Sequence, residues 1–150
     1  MNLEYKARKM RTEDLNSCAE LMIKVYNGAP WFDQWESVEQ SSKYLKEFMD
    51  NPAFRGFVIE KEDIIVGACF GHKRSWFSGD ECFVNEYFID NDYQSIGLGS
   101  KLMNFVKLSL KEENIIYITL LTERNIPAKD FYEKQGLKIK EENIFMYGEC

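Results

Sequence analysis

The sequence predicts a layered α/β (α+β) fold: a mixed sheet of six to seven strands with helices on both faces. Two observations carry the prediction. The elements run strand, two helices, three strands, helix, strand, helix, then one or two closing strands. Within that order, hairpin-linked strands precede a strand–helix–strand crossover, so antiparallel and parallel pairing must share one sheet. Length and composition agree. The chain has 150 residues, 45% apolar and 15% aromatic, enough for one domain with a real core and too apolar for disorder. No repeat, low-complexity tract or linker interrupts it, so residues 1–150 read as a single domain.

Each element has a local reason. "YKARKMR" alternates as a first strand. In "TEDLNSCAELMIKVYN", Thr12 is a plausible N-cap with Glu13 and Asp14 in the first turn, and Leu15, Ala19, Met22, Ile23 and Tyr26 form an apolar face. Gly28 and Pro30 stop that helix. A second helix is expected from Asp33, where Glu36 completes a capping box, to the "NP" at 51 and 52. "FRGFVIE" and "IIVGACFGH" are strands split by the turn "KED", and "ECFVNEYFID" is a third. After "QSIGLG" comes a helix carrying Leu98, Leu102, Phe105 and Val106 on one face, then the β-rich "IIYITLLT". "IPAKDFYEKQG" is a short helix with Pro127 in its first turn and Gly136 at its stop. "LKIKE" and "IFMYGE" are expected as a last strand pair.

Charge and cysteine content narrow the function classes. A net charge of −6 argues against nucleic-acid binding, which needs a basic face, and suits a cationic partner better. Cys18, Cys69, Cys82 and Cys150 show no metal-ligand spacing, and His72 is the only histidine, so no metal is expected. Reduced core thiols in a cytoplasmic protein are the simpler reading. No stretch approaches the roughly 20 apolar residues of a membrane helix, and "MNLEYKARKM" does not read as a signal peptide.

The chemistry concentrates at "DYQSIGLGSKL", between a strand and a helix. Glycines there let backbone N–H groups approach a phosphate, and the helix dipole adds partial positive charge. An ordinary glycine turn explains the same residues. The spacing fits neither G-x-x-x-x-G-K-[ST] nor G-x-G-x-x-G, because position 102 is leucine. What remains is Q-x-x-G-x-G, followed about 30 residues later by "NIPAKDFYEKQGL". Together these resemble the GNAT superfamily of acyl-CoA-dependent N-acyltransferases: the loop matches [QR]-x-x-G-x-[GA], and the later stretch matches N-x-x-A-x-x-F-Y-E-K-x-G-[FL]. The resemblance spans essentially the whole chain.

That resemblance implies a mostly antiparallel sheet, acetyl-CoA as co-substrate, and transfer to a primary amine of a small molecule or peptide by direct attack in a ternary complex. It places the pyrophosphate on the amides of Gln94, Ser95, Ile96, Gly97, Leu98, Gly99 and Ser100. Backbone groups of Phe88 and Ile89 would meet the pantetheine arm, with Asn125 and Ala128 on its other side; a helix cap and a packing residue explain the last two equally. An N–H near Ile89 would face the developing oxyanion. Tyr132 matches the tyrosine that protonates the leaving sulfur, and a core aromatic is its alternative. Glu86 is the candidate base, direct or through water; on alternation it shares a face with Val84 and Phe88, where a carboxylate is costly unless it faces a cavity. A solvent-facing position is the other reading.

Trp31, Phe32 and Trp35 could wall the acceptor cleft while Asp33, Glu36 and Glu39 attract an amine; capping acids and packed aromatics explain them as well. His72 and Trp76, near a strand end, could reach the same cleft. Pairing of two copies is common in the family. A CoA-binding sensor or interaction module without turnover is the alternative function, and the presence of both Glu86 and Tyr132 argues against it.

Overall fold

A computed structural model describes residues 4–150. Five strands, β1 (Tyr5–Lys9), β2 (Phe54–Lys61), β3 (Ile64–Arg74), β4 (Glu81–Ile89) and β5 (Tyr117–Leu120), lie in the order β1-β2-β3-β4-β5. Neighbours are antiparallel except β4 and β5, which run parallel through the crossover helix α3 (Leu98–Glu112). The β2–β3 hairpin closes on Glu62 and Asp63, with φ of 50° and 66°, the two left-handed residues whose twist matches that of the strands.

The sheet is covered on both faces. Phe57, Ile59, Cys69 and Val84 pack with Leu98, Leu102, Val106 and Leu110 of α3. On the opposite face, Val58, Ala68, Phe70 and Phe88 pack with Cys18, Ala19, Met22 and Val25 of α1 (Leu15–Tyr26) and Leu45 of α2 (Val38–Met49). Each large side chain buried this way contributes roughly 1.5–3 kcal/mol. Cys18, Cys69 and Cys82 are buried free thiols, and Cys150 is exposed. Among the described residues no helix is long and apolar enough to cross a membrane, and no group of three or more His, Cys, Asp or Glu residues could hold a metal ion.

Three expectations are corrected. Thr12 does not cap α1. Residues Thr12–Asp14 form a 3-10 turn, and Asp14 takes the Arg11 N–H at 2.6 Å because its buried carboxylate is already fixed by Arg8 at 2.8 and 3.0 Å. The second helix begins at Val38, not Asp33. Ser37 accepts the Gln40 N–H at 3.0 Å while the Gln40 side chain accepts the Glu36 N–H at 2.7 Å, so the reciprocal cap sits four residues later than Asp33 and Glu36 suggest. The sheet has five strands, not six to seven. Residues 137–150 form no strand; Ile144, Phe145, Met146 and Tyr147 are exposed, and a cavity of about 1340 Å³, lined by Ile118, Leu120, Ile139 and Phe145, separates the segment from β5.

Helix α4 (Pro127–Lys134) has Pro127 in its first turn and ends before Gly136, whose φ of 94° suits glycine. It is tied to α3 by Lys107 Nζ donating to the Gln135 carbonyl and Gln135 Nε2 donating to Ser100 Oγ at 2.8 Å.

The Arg8–Asp14 pair, with Glu60 accepting from Arg8 at 3.1 Å, joins β1, β2 and the entry to α1. Asp14→Ala leaves a largely buried guanidinium short of one carboxylate, and is expected to cost about 2–4 kcal/mol in urea unfolding. A loss below ~0.5 kcal/mol would show that the entry to α1 does not depend on this pair.

Candidate active site

The site begins with a bulge. Opposite Phe70 and Gly71 of β3, β4 places Val84, Asn85 and Glu86, one residue too many. The extra residue inverts the alternation. Val84 belongs to the core under α3, whereas Phe88 belongs to the core under α1 and α2, and Glu86 follows Phe88. Val84 and Glu86 therefore do not share a face, which corrects the simple alternation. Asn85 is held at the bulge by His72, Nδ1 to Oδ1 at 3.0 Å. His72 thus serves the bulge, and Trp76 packs on Phe77 in the exposed β3–β4 loop at 5.3 Å between rings.

Turned this way, Glu86 is partly buried between helices. Tyr44 of α2 donates its hydroxyl to Glu86 Oε2 at 2.5 Å, and the Tyr26 hydroxyl of α1, which donates to the Tyr87 carbonyl at 3.3 Å, lies near the same carboxylate. Burial raises the Glu86 pKa; the bonds from Tyr44 and Tyr26 lower it, and the Asp33 charge raises it again, leaving it above the ordinary glutamate value. Burial and the Glu86 charge push both tyrosines upward, so they remain donors. Trp31 meets the Tyr26 ring at 5.3 Å, and Trp35 meets the Tyr44 ring at 5.2 Å. Two bonds to the Asn27 side chain, 2.9 and 3.0 Å, fix the Trp35 backbone. The structure thus brings Trp31 and Trp35 to the tyrosines that flank Glu86. Phe32, Asp33, Glu36 and Glu39 are exposed, Phe32 at 68%.

Beyond the bulge β4 loses one neighbour. It pairs with β5 only from Glu81 to Val84, so residues 85–89 have β3 on one side and an open edge on the other. The Asp90 N–H donates to Val66 of β3 at 2.8 Å, and the Ile89 carbonyl turns away to accept from Gln94 Nε2 at 3.0 Å. Alternation then directs the backbone groups of Phe88 to β3 and those of Tyr87 and Ile89 to the open edge. Of the two residues expected to offer backbone contacts, Ile89 therefore lies on the open edge and Phe88 on the β3 side.

The edge leads into the glycine loop. Ser95 and Gly97 have φ of 67° and 86°, and nothing lies within 4 Å of a Cβ built at Gly97. The first helical bond is Lys101 N–H to Gly97 carbonyl at 3.0 Å, with no side chain capping the helix. Among the described residues the N–H groups of Ser95, Ile96, Gly97, Leu98, Gly99 and Ser100 have no acceptor. An anion at this helix start would meet six donors and the positive end of the dipole. Gly99 has a different role: a Cβ there would lie 3.1 Å from the Phe131 ring, so its absence lets α4 approach α3.

Phe131 packs on Tyr87 at 5.8 Å, and Tyr132 meets the same ring edge-on at 6.1 Å. α4 thus stands beside the open edge of β4. Burial pushes the Tyr132 pKa upward, with smaller contributions from Cys69 and Glu86. Its hydroxyl bonds no described residue and is not a buried orphan, so solvent reaches it. Asn125 is exposed in the turn before α4 and does not cap it; the cap position is Ile126. Ala128 lies in the first turn of α4, half-buried. Tyr26 and Tyr44 are the functional candidates that sequence reasoning missed. Tyr26 stood on the predicted apolar face of α1, which gave no sign that its hydroxyl ends at a carboxylate.

Comparisons with known proteins identify the family and the fold. Residues 17–137 match the model of the acetyltransferase (GNAT) family. A Bacillus subtilis (strain 168) protein provisionally named a ribosomal protein bS18-alanine N-acetyltransferase is 24% identical over 92% of this chain and 83% of its own length. A possible acetyltransferase from Clostridium difficile 630 superposes with a TM-score of 0.82 at 20% identity, covering 97% of this chain and 98% of that one. An aminoglycoside acetyltransferase from an uncultured soil metagenomic sample, in complex with sisomicin, superposes with a TM-score of 0.78 at 17% identity, over 98% and 97% of the two chains.

The raised Glu86 pKa has a consequence for stability. A carboxyl that holds its proton more tightly when folded contributes stability below the unfolded value of about 4.3, and that contribution is lost as pH rises through the folded pKa. Glu86→Gln, permanently neutral, is expected to be more stable than the parent at pH 8, with the gap closing near pH 4. Urea midpoints at both pH values measure it; a gap of equal size at both would contradict the burial of this charge.

Proposed function

The chain belongs to the acetyltransferase (GNAT) family, and from that premise we propose that it moves an acetyl group from acetyl-CoA to a primary amine of a small molecule or peptide. It is an acyl-CoA-dependent N-acyltransferase; acceptor class, route and residue roles are our reading, as is the reading of residues 1–150 as one catalytic domain. The observation that carries it is the run of six acceptorless amides from Ser95 to Ser100, continuous with the open edge of β4 and facing unfilled space at Gly97. Those groups fit a pyrophosphate and a pantetheine arm.

In this reading the loop amides hold the pyrophosphate, Tyr87 and Ile89 offer their backbone to the arm, and Asn125 and Ala128 flank it from α4. Acetyl-CoA, when bound, supplies a thioester whose thiolate is a tolerable leaving group, a thiol pKa being about 8.5. Glu86 takes the proton that the attacking ammonium must shed, directly or through one water, since a lysine-like amine has a pKa near ~10.4. An open-edge N–H at Tyr87 or Ile89 faces the carbonyl oxygen as charge builds on it. Tyr132, protonated at any working pH, donates to the departing sulfur. Trp31 and Trp35 wall the acceptor side, and Glu86 with Asp33 draws a cation there. Relatives named for an alanine amine and for an aminoglycoside support both acceptor classes.

Free-thiol release from acetyl-CoA over a panel of small amines, aminoglycosides and basic peptides tests the proposal. Amine-dependent release is expected, with kcat down roughly 10²-fold in Tyr132→Phe and 10²–10⁴-fold in Glu86→Gln. The acetyl-CoA KM should change far less. Undiminished turnover in both variants would overturn the assigned roles.

A further inference from the structure

We propose that Tyr44 is a positioning residue for Glu86, with Tyr26 as its lesser partner, and that the hydroxyl Tyr44 donates holds and aims that carboxylate on the face of α1 and α2. The inference rests on the reading of Glu86 as the base and adds what makes that carboxylate usable.

The geometry is specific. Tyr44 Oη lies 2.5 Å from Glu86 Oε2, within the range of hydroxyl–carboxylate bonds. Tyr44 is itself fixed from two sides: its ring meets Trp35 at a tilt at 5.2 Å and Phe48 edge-on at 4.8 Å, and the Trp35 backbone is in turn clamped by Asn27. Tyr26 is held edge-on by Trp31 at 5.3 Å and by Phe88 at 5.8 Å. Two helices thus each bring one hydroxyl to the same stretch of strand beneath them, Tyr44 to the Glu86 carboxylate and Tyr26 to the adjoining Tyr87 carbonyl.

The charged and titratable groups around Glu86 define the competition. Tyr26 faces it from α1, Asp33 from the α1–α2 loop, Tyr44 from α2 and Tyr132 from α4. The groups that favour ionisation are the two hydroxyls, and among the described residues Glu86 forms no ion pair. Burial and the Asp33 charge oppose them. Glu47, behind Tyr44, adds negative charge that keeps the Tyr44 proton in place. A base supported by neutral donors stays basic enough to accept a proton, whereas an ion pair with lysine or arginine would depress it further.

The test is a pair of titrations on the full chain. Carbon-13 NMR of labelled glutamate carboxyls, with Glu86 identified by the signal missing in Glu86→Gln, reads its midpoint without any turnover. The acid limb of kcat/KM with an amine acceptor reads the same group at work. Tyr44→Phe keeps the ring and removes the donor, so both midpoints should rise by about one pH unit, as loss of one hydrogen bond to a charged group implies. Tyr26→Phe should raise them less. A mere packing role would lower the rate without moving either midpoint, and an unmoved Glu86 signal in Tyr44→Phe overturns the proposal. Should Tyr44→Phe fail to fold, an unmoved midpoint in Tyr26→Phe is the overturning result, and a raised one supports the pair. A shifted NMR midpoint in a chain that acetylates no amine would sustain the tyrosine pair and sink the reading of Glu86 as base.

Discussion

A carboxylate can stand inside this fold because β4 takes one residue more than β3 between Val84 and Glu86. Without the bulge, Glu86 would share the face of Val84, in a core packed with leucine and valine from α3, where an unpaired charge costs several kcal/mol. The extra residue turns it to the face of α1 and α2, where two tyrosines and the end of the hydrophobic layer meet. The same point ends the partnership of β4 with β5, which stops at Val84 and Leu120. One irregularity therefore yields two features at once: a carboxylate turned to the face of α1 and α2, and a strand edge with unused backbone groups beside it. Asn85 and His72 satisfy each other where the ladder is broken.

The surroundings divide by charge. On one side of the open edge lie Glu86 and Asp33, with Glu36 and Glu39 exposed further along, in a chain whose net charge is −6. On the other side, attraction for an anion comes from backbone dipoles at the start of α3. In the proposed function an ammonium and a phosphate would be drawn to opposite ends of one short edge, beside which α4 places Tyr132 against Tyr87. The position of α4 depends on an absence, since the missing side chain of Gly99 is what admits Phe131. The two glycines of "GLG" do separate work: Gly97 permits a left-handed turn, and Gly99 permits helix contact.

Much of this was legible in the sequence. Period and turn chemistry located β1 to β5 and, apart from the start of α2, the four helices, and the two motifs fell on the turn before α3 and on α4. The failures have physical causes. A bulge leaves no mark on a period-two pattern, so the facing of Val84 relative to Glu86 could not be read. Asp33 and Ser37 both begin capping boxes, and only tertiary contact decides between them; Ser37 wins because residues 33–37 cross from the end of α1, where the Asp33 N–H donates to the Tyr26 carbonyl. Tyr44 sat in an amphipathic helix like any other ring. "LKIKE" and "IFMYGE" have strand composition, but composition supplies no partner, and in the structure they stand off from β5 across a wide cavity.

The account stands on acetyl-CoA lying along the open edge of β4 with its pyrophosphate on the loop. A nitrogen-15 amide NMR titration of the full chain with CoA tests this directly. The amides of Ser95 to Ser100, Tyr87 and Ile89 should move most, with Phe88, turned to β3, moving least among its neighbours. Shifts centred on the cavity beside β5, or a Phe88 amide that moves as far as those of Tyr87 and Ile89, would contradict it.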